Sequence, residues 1–443
     1  MKKLSVDEKV SIVKEVGEEI INEKELRELF EKKKHPVAYD GFEPSGNIHI
    51  AQGLLRAINV NKLTSTGIKF RFWVADWFGL LNNKMGGDLA KIRIVGEYFI
   101  EVWKACGMDL DNVEFVWTSE FIREHPGYWE TVLKLSMNTT VNRVLRCGQI
   151  MGREDSTSNP ASQIIYPLMQ AADIHHLGAD IAQLGMDQRK VNMLARDIFP
   201  KLGFVAPVIV SHHMLMGLSE PAMQEFLEAT IKFEGELMDL RSKRIFTAKD
   251  FGEGILLNVK PDSPEEGEAV ITRIELFSKD PMKFGNYEYA LLSKNKNSCK
   301  IKYRKVLSSV DAAIAKKMSK SKPDTAIFMT DSKEDVYRKF NKAFCPAGKV
   351  EDNPVLEYMK YIVFERFDDI VIKRDAKFGG DLEFGCYEDL ERVFVSGGVH
   401  PMDLKNCCAG YIDEMLEPVR KHFRDDKRAK KLKESVEGFV VTR

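Results

Sequence analysis

Two hydrophobic periods alternate along the first half of the chain. VAYDGF (Val37 to Phe42) is short, apolar and β-like, whereas Leu54, Leu55, Ile58 and Leu63 recur at helical spacing. FRFWVADWFG (Phe70 to Gly79) reads as a second buried strand and NVEFVWTSE (Asn112 to Glu120) as a third, with a helix over roughly residues 88–106 between them. ADIAQLGMDQ (Ala179 to Gln188) and FVAPVIVS (Phe204 to Ser211) add two more strands, again separated by helical stretches. Strands alternating with helices predict an α/β fold, a parallel, doubly wound sheet with right-handed crossovers. Ligands of such sheets gather at the C-terminal strand ends.

The pattern changes at both ends of this block. Residues 1–34 form a charged amphipathic stretch that reads as a helical extension. From about Leu218 to Ala315 a helical run, EPAMQEFLEATIKFEGELMDL, is followed by strand-like, Lys/Asn-rich pieces such as LLSKNKNSCKIKYRKV. This is the pattern of an inserted surface subdomain, at about 218–315, within a doubly wound domain spanning 35–345. After Pro346 the chain turns helical (VLEYMKYIVFERF, YEDLERVFV, DLKNCCAGYIDEMLEPVRKHF), which predicts a separate helical domain over 346–443.

Composition narrows the class. A chain of 443 residues exceeds one compact core, and 44% hydrophobic with 30% charged residues describes a globular protein. The formal net charge is −1, so any nucleic-acid contact rests on local patches. One such patch is the tail from Arg420 to Lys433, with eight Lys/Arg against two Asp. A solvated helix face is its ordinary explanation and RNA contact the alternative. The seven cysteines form no CxxC pair, which argues for reduced cytosolic thiols and against a zinc site. The N-terminus has no apolar core of signal-peptide type, and no run is long and apolar enough to span a membrane.

Two stretches carry candidate chemistry. GFEPSGNIHIAQG (residues 41–53) places a small-residue turn between a strand and a helix, with His49 where the helix is expected to begin. Unpaired N–H groups and the dipole make such a helix start an anion site, though an ordinary βα loop is equally compatible. KMSKSKPDTAIF, from Lys317, holds Lys317 and Lys320 three apart on a polar, mobile-looking loop, an arrangement suited to clamping a polyphosphate. Asp331 and Glu334 then have capping-box spacing ahead of the helix KEDVYRKFNKAF.

Together these stretches resemble the HIGH-type and KMSKS signatures of class I aminoacyl-tRNA synthetases. More narrowly, the chain is similar to the archaeal/eukaryotic-type tyrosyl-tRNA synthetases. The resemblance rests on AYDGFEPSGNIH, IIYPLMQAADIHHLGADIAQLGMDQRKVNMLAR (164–196), KMSKS, AFCPAGKVEDNP (343–354), KFGGDL (377–382) and HPMDLKN (400–406). It implies a Rossmann-like catalytic domain followed by an all-helical anticodon-binding domain.

It also implies roles, residue by residue. Tyr39 and Asp173 match the pair that holds the phenol hydroxyl of tyrosine. Tyr166, Gln170 and Gln188 match the residues that grip its ammonium group. Gly41, Ser45, His49, Ala51, Gln52, Lys317 and Lys320 match the ATP site, with His49, Gln52 and the two lysines as catalytic candidates. The usual motif glycine is Ala51 here, and the second histidine is Gln52, which donates a hydrogen bond but never carries charge. Arg146 and Lys190 match acceptor-end contacts to tRNA, and Phe378 and Asp403 match readers of the first anticodon base. The implied reaction is tyrosine activation by ATP, with Mg²⁺, to tyrosyl-adenylate and pyrophosphate, followed by transfer to the 3′ end of tRNA(Tyr). A cytoplasmic homodimer is the expected form. Two rivals share the signatures: a tryptophanyl-tRNA synthetase, disfavoured by Tyr39 and Asp173, and a paralogue without aminoacylation, disfavoured by intact ATP lysines.

Overall fold

The computed structural model describes residues 4–148, 160–221, 227–232, 250–251, 254–255, 282–284, 287–295, 298–305, 307, 309–320 and 322–439. The chain divides into two compact units, Met1–Glu220 with Ala313–Arg443, and Pro221–Ala312.

The first unit is built on a six-stranded sheet. Its strands are β1 (Gly17–Ile21), β2 (Val37–Phe42), β3 (Lys69–Val74), β4 (Val113–Trp117), β5 (Ile181–Gly185) and β6 (Val208–His212), in the order β1-β6-β5-β2-β3-β4. All neighbours run parallel except β1, which pairs antiparallel with β6 at the edge. β5 and β6 are buried along their whole length, as expected of central parallel strands covered on both faces.

The strand order reverses at β2. From there the chain steps outward through β3 and β4, then returns to the other side of β2 with β5. β2 pairs with β3 over six positions, from Val37↔Lys69 to Phe42↔Val74. It pairs with β5 over two, Ala38↔Ile181 and Tyr39↔Ala182. Beyond Tyr39 the two strands part, so a cleft opens at their C-terminal ends. A doubly wound sheet binds ligands at this switch point.

Several elements differ from the pattern reading. The N-terminal stretch is not one helix: helices Val6–Val16 and Glu23–Lys32 flank β1, whose GEEII sequence is too short and acidic to register as a strand. The second strand stops at Val74, because Asp76 starts the helix Asp76–Leu81 and its carboxylate accepts from the N–H groups of Trp77 (2.8 Å) and Ser119 (3.0 Å). The third stops at Trp117, ahead of the helix Thr118–Glu124. The helix after residue 331 is capped by Ser332, whose hydroxyl accepts from Asp335 N–H at 3.1 Å, and not by an Asp331/Glu334 box. Asp331 instead binds the buried Lys339 ammonium at 2.6 Å.

The C-terminal region is helical, with the helices Pro354–Tyr358, Tyr387–Val395, Pro401–Asp425 and Lys427–Glu437. A two-stranded antiparallel sheet, Ile370–Ile372 with Leu382–Phe384, interrupts them. One apolar cluster runs from the helices around β2 and β3 into this region, and the rings of Tyr98 and Phe423 lie 5.2 Å apart within it. Asp426 caps the last helix, accepting from Ala429 N–H at 2.8 Å, and turns it back so that Arg428 meets Glu97 at 2.9 Å. Part of the basic tail is thereby used in packing. No described helix is long and apolar enough to cross a membrane.

The second unit contains a four-stranded antiparallel sheet in the order Met282–Phe284, Tyr287–Asn295, Ser298–Lys305 and Leu227–Lys232. Leu227–Lys232 falls inside the run expected to be helical. It is a strand, paired Leu227↔Tyr303 through Lys232↔Ser298; the rest of that run lies largely outside the described residues.

Candidate active site

The cleft beyond Tyr39 gathers side chains from β2, β3, the turn after β5 and the helix Ser162–His176. That helix presents Tyr166, Gln170 and Asp173 on one face, since residues three and four apart are neighbours. Tyr39 and Asp173 are both about 1% exposed. The Gln170 amide meets the Tyr39 hydroxyl and donates to Gln188 Oε1 at 3.0 Å. The Tyr166 hydroxyl bonds Glu43, which also accepts from Asn82 Nδ2 at 2.7 Å. Tyr39, Gln170 and Gln188 are thus linked by hydrogen bonds, and Asp173 and Tyr166 stand on the same helix as Gln170, near enough to interact electrostatically with Tyr39. Gly41 borders it: a Cβ there would sit 3.7 Å from the Tyr39 ring.

Asp173 is half-satisfied. Its Oδ1 accepts from the Tyr128 hydroxyl at 2.6 Å, while its Oδ2 is buried without a hydrogen-bond partner. The Trp73 indole N–H lies beside the carboxylate but also lacks a bond of ordinary geometry. Burial raises the Asp173 pKa well above the usual carboxylate value, and the Tyr128 bond is the main force opposing it. A buried carboxylate oxygen left open in this way favours a ligand that brings a hydroxyl. Tyr128, on the helix Gly127–Met137, has no local signal in the sequence: GYWETVLK reads as an ordinary amphipathic helix, and its partner lies 45 residues on.

The two signature stretches meet beside this pocket through backbone pairing. Ile50 N–H donates to Ile327 O, and Met329 N–H to Ile48 O, each at 2.9 Å, and His49 pairs with Phe328 between them. His49 is therefore not at the helix start. The helix begins at Leu54, and residues 49–53 form a lead-in turn with Gly53 N–H bonded to His49 O at 2.8 Å. Gly53 is required there, since a Cβ would fall 2.3 Å from Met329 Sδ. Ala51 packs on the core. The Gln52 carbonyl accepts from the Trp103 indole N–H at 2.9 Å, and its side-chain oxygen is sealed without a partner.

The lysine segment is docked and not a free loop. Lys317 pairs with Met216 as an antiparallel bridge, and its ammonium binds Asp187 at 2.8 Å. Burial alone would raise the Asp187 carboxyl; the Lys317 charge overrides it and holds the pKa below the ordinary value. Lys320 donates to the Ser45 carbonyl at 2.6 Å, in the Pro-Ser-Gly turn, where Gly46 has φ +60°. Burial, reinforced by Lys84, pushes Lys320 down to about 7. His49 is buried, with Nδ1 unpartnered, and burial followed by the nearby charges of Lys320 and Lys317 drops its pKa well below 6.5. His49 is thus a neutral donor flanked by two ammonium groups, a constellation suited to polyphosphate oxygens. Asp187 and Glu43 were not singled out in the sequence, although both stand inside the signature stretches.

The remaining matched residues lie outside the cleft. Arg146 is exposed on the helix Val141–Gly148, next to Cys147, whose thiol bonds Lys190 O at 3.5 Å. Residues 149–159 lie outside the described residues. Phe378 is 63% exposed after the first strand of the small C-terminal sheet, and Asp403 is in the first turn of the helix Pro401–Asp425.

The family model described as tRNA synthetases class I (W and Y) matches residues 31–224 and 288–417. A relative from Arabidopsis thaliana named tyrosine–tRNA ligase 1, cytoplasmic, is 40% identical over 440 residues, covering 99% of this chain and 90% of the relative. The chain belongs to the tyrosyl-tRNA synthetases. Among solved members of the family, the Pyrococcus horikoshii synthetase, complexed with L-tyrosine, is 32% identical with a TM-score of 0.73, over 98% of this chain and 100% of that one. The Leishmania major synthetase in complex with tyrosinol is 38% identical, also with a TM-score of 0.73. That match covers 99% of this chain but 61% of the Leishmania chain. Family membership accounts for the parallel sheet, the helical C-terminal region and the meeting of the two signatures.

Proposed function

We propose that the chain is a tyrosine–tRNA ligase that activates L-tyrosine with ATP and charges tRNA(Tyr) at this cleft. The observation that carries the substrate is Asp173, a buried carboxylate with one oxygen bonded and the other open, facing Tyr39. A tyrosine hydroxyl would supply the missing donor. Phenylalanine would leave Asp173 Oδ2 open, an effect for which a tyrosyl synthetase is the standard example, at about 10⁵-fold. Tyr166, Gln170 and Gln188 would take the ammonium group, and Gly41 leaves room beside the ring.

His49, Gln52, Lys317 and Lys320 would take the ATP phosphates, with Ser45 and Ala51 lining the approach. The tyrosine carboxylate attacks the α-phosphorus, the bond to the β-phosphate oxygen breaks, and pyrophosphate leaves. A ribose hydroxyl of the tRNA 3′ end then attacks the acyl carbon and displaces AMP. No side-chain nucleophile is needed, so catalysis is alignment plus stabilisation of charge on the leaving pyrophosphate. Among the described residues no group of three or more acidic, His or Cys side chains could cage a metal. Mg²⁺ would therefore arrive on the phosphates of ATP.

Arg146 and Lys190 would guide the acceptor end, and Phe378 and Asp403 would stack on and hydrogen-bond the first anticodon base. Trp129, Leu133 and Met137 are exposed at four-residue spacing on the helix that carries Tyr128, and Val141 is exposed at the start of the next helix. This apolar stripe supports a two-fold homodimer next to the cleft; a monomer in sedimentation at micromolar concentration would rule it out. A cytoplasmic location is the simplest reading for a relative of the plant enzyme. The test of function is charging: labelled tyrosine should become acid-precipitable on tRNA(Tyr) with ATP, and tryptophan on tRNA(Trp) should not. Charging of tRNA(Trp) with tryptophan, or none at all, would overturn the reading.

A further inference from the structure

The segment that follows β6, residues 213–218, connects the lysine segment to the C-terminal region. On one side it carries Lys317: Met216 pairs with Lys317, Met318 N–H donates to Leu215 O at 2.7 Å, and Gly217 N–H donates to Lys316 O at 3.0 Å. On the other side it is gripped by the helix Pro354–Tyr358. Glu357 Oε2 accepts from Met216 N–H at 2.9 Å, and the Tyr358 hydroxyl donates to Met216 O at 2.7 Å.

Glu357 is itself held. Its other oxygen pairs with His213 Nε2, and His213 Nδ1 lies 3.2 Å from Glu18 at the start of β1. The His213 ring stacks on Tyr361, with centroids 4.2 Å apart. One half-buried imidazole thus stands between carboxylates from two different elements, with His212 as its chain neighbour. Burial pulls His213 down, but Glu18 and Glu357 overcome it and raise it to about 9, so the ring is cationic near neutrality. The reactions assigned to the cleft use none of these side chains.

We propose that Glu357 and His213 are positioning residues for Lys317: they fix the 213–218 segment, and through it the place of the lysine ammonium over the nucleotide. The inference rests on the reading of Lys317 as a phosphate clamp. Glu357 acts directly, since it is the acceptor for Met216 N–H. His213, the first residue of the segment, pairs with Glu357 and also holds the segment through Glu18 and the Tyr361 ring. Misplacement of a reacting or clamping group by ~1 Å costs about 10²-fold in rate, so a segment freed at Met216 should slow adenylation while the tyrosine pocket stays intact.

The experiment measures pyrophosphate exchange with the full chain, separating the kcat and KM for ATP from the KM for tyrosine. It compares Lys317→Ala, Glu357→Ala, Glu357→Gln, His213→Ala and the double variant His213→Ala/Glu357→Ala. Glu357→Ala should lower kcat/KM for ATP by about tenfold or more, with the tyrosine KM unchanged. His213→Ala should cost less, because Met216 keeps its Glu357 acceptor, and the double variant should cost more than Glu357→Ala alone, because it also removes the His213 contacts to Glu18 and Tyr361. Glu357→Gln keeps an acceptor for Met216 and loses the charge, so it should fall between wild type and Glu357→Ala and supplies the result should the alanine variant fail to fold. Normal ATP kinetics in both Glu357 variants alongside a slow Lys317→Ala would overturn the positioning role and leave the lysine reading standing. Equal losses toward ATP and tyrosine would also overturn it, as plain destabilisation. Normal kinetics in Lys317→Ala would instead sink the clamp reading and this inference with it.

Discussion

Tyr128→Phe removes one oxygen from a fully buried site, and its consequences can be worked through. The lost hydroxyl donates to Asp173 Oδ1 at 2.6 Å and lies 2.9 Å from Met169 O. It is the largest influence holding the Asp173 pKa down against burial. A hydrogen bond to a charged group contributes about 1.5–3 kcal/mol, so its loss raises the carboxyl pKa further and shifts Asp173 toward its protonated form. A neutral acid bonds a phenol about half as strongly as a carboxylate does, which should lower kcat/KM for tyrosine by about tenfold. A neutral acid left unpaired beside phenylalanine also costs less than an unpaired carboxylate. Discrimination between tyrosine and phenylalanine should therefore shrink by about ten- to a hundredfold. The pH dependence has a definite sign. Because the carboxyl pKa is raised, the charged form returns only as pH rises, so the variant's tyrosine kcat/KM should reach its plateau at a higher pH than the parent's. Pyrophosphate exchange with both amino acids across a pH series is the assay. Unchanged discrimination in a folded variant would refute the argument that Tyr128 sets the state of Asp173.

Lys320→Ala should cut the adenylation rate far more than it weakens tyrosine binding, because the lysine meets charge that moves to pyrophosphate. With Lys320 at about 7 in the free protein, ATP binding should take up a proton above that pH and not below it. Calorimetry in buffers of different ionisation enthalpy reads this, and the uptake should vanish in Lys320→Met. His49→Ala should slow adenylation more than Gln52→Ala, while Gln52→His keeps activity and gains a component titrating near the imidazole pKa; an undiminished rate in Gln52→Ala would show that position to be idle. Asp403→Ala should impair tRNA charging and spare pyrophosphate exchange, and equal losses in both assays would make Asp403 structural.

How far the chain was legible depended on the range of the interactions. β5 and β6 could be located within longer runs because parallel strands covered on both faces are dominated by apolar residues, with Gln183, Ser211 and His212 as buried polar exceptions. β1 could not, since GEEII owes its strand form to pairing with β6, nearly two hundred residues away. The run 70–79 reads too long because Ala75, Trp77 and Phe78 continue the apolar character past Val74. Only the Asp76 carboxylate, bonded to Ser119, makes the turn visible. At the site, the residues proposed for the phosphates lie in two contiguous stretches. What the sequence hid was how those stretches are joined: backbone pairing of 48–50 with 327–329, and of Met216 with Lys317. Side chains that act on other side chains, Tyr128 on Asp173 and Glu357 on the 213–218 segment, carry no local pattern at all.

The central claim is that an open carboxylate oxygen beside Tyr39 selects a phenol for activation by ATP. Tyrosine-dependent exchange of labelled pyrophosphate into ATP, run with each of the twenty amino acids in turn, tests it most directly. Tyrosine should support rapid exchange, phenylalanine a rate lower by about four to five orders of magnitude, and tryptophan none. Exchange driven by tryptophan, or by phenylalanine at a rate close to that of tyrosine, would contradict the account.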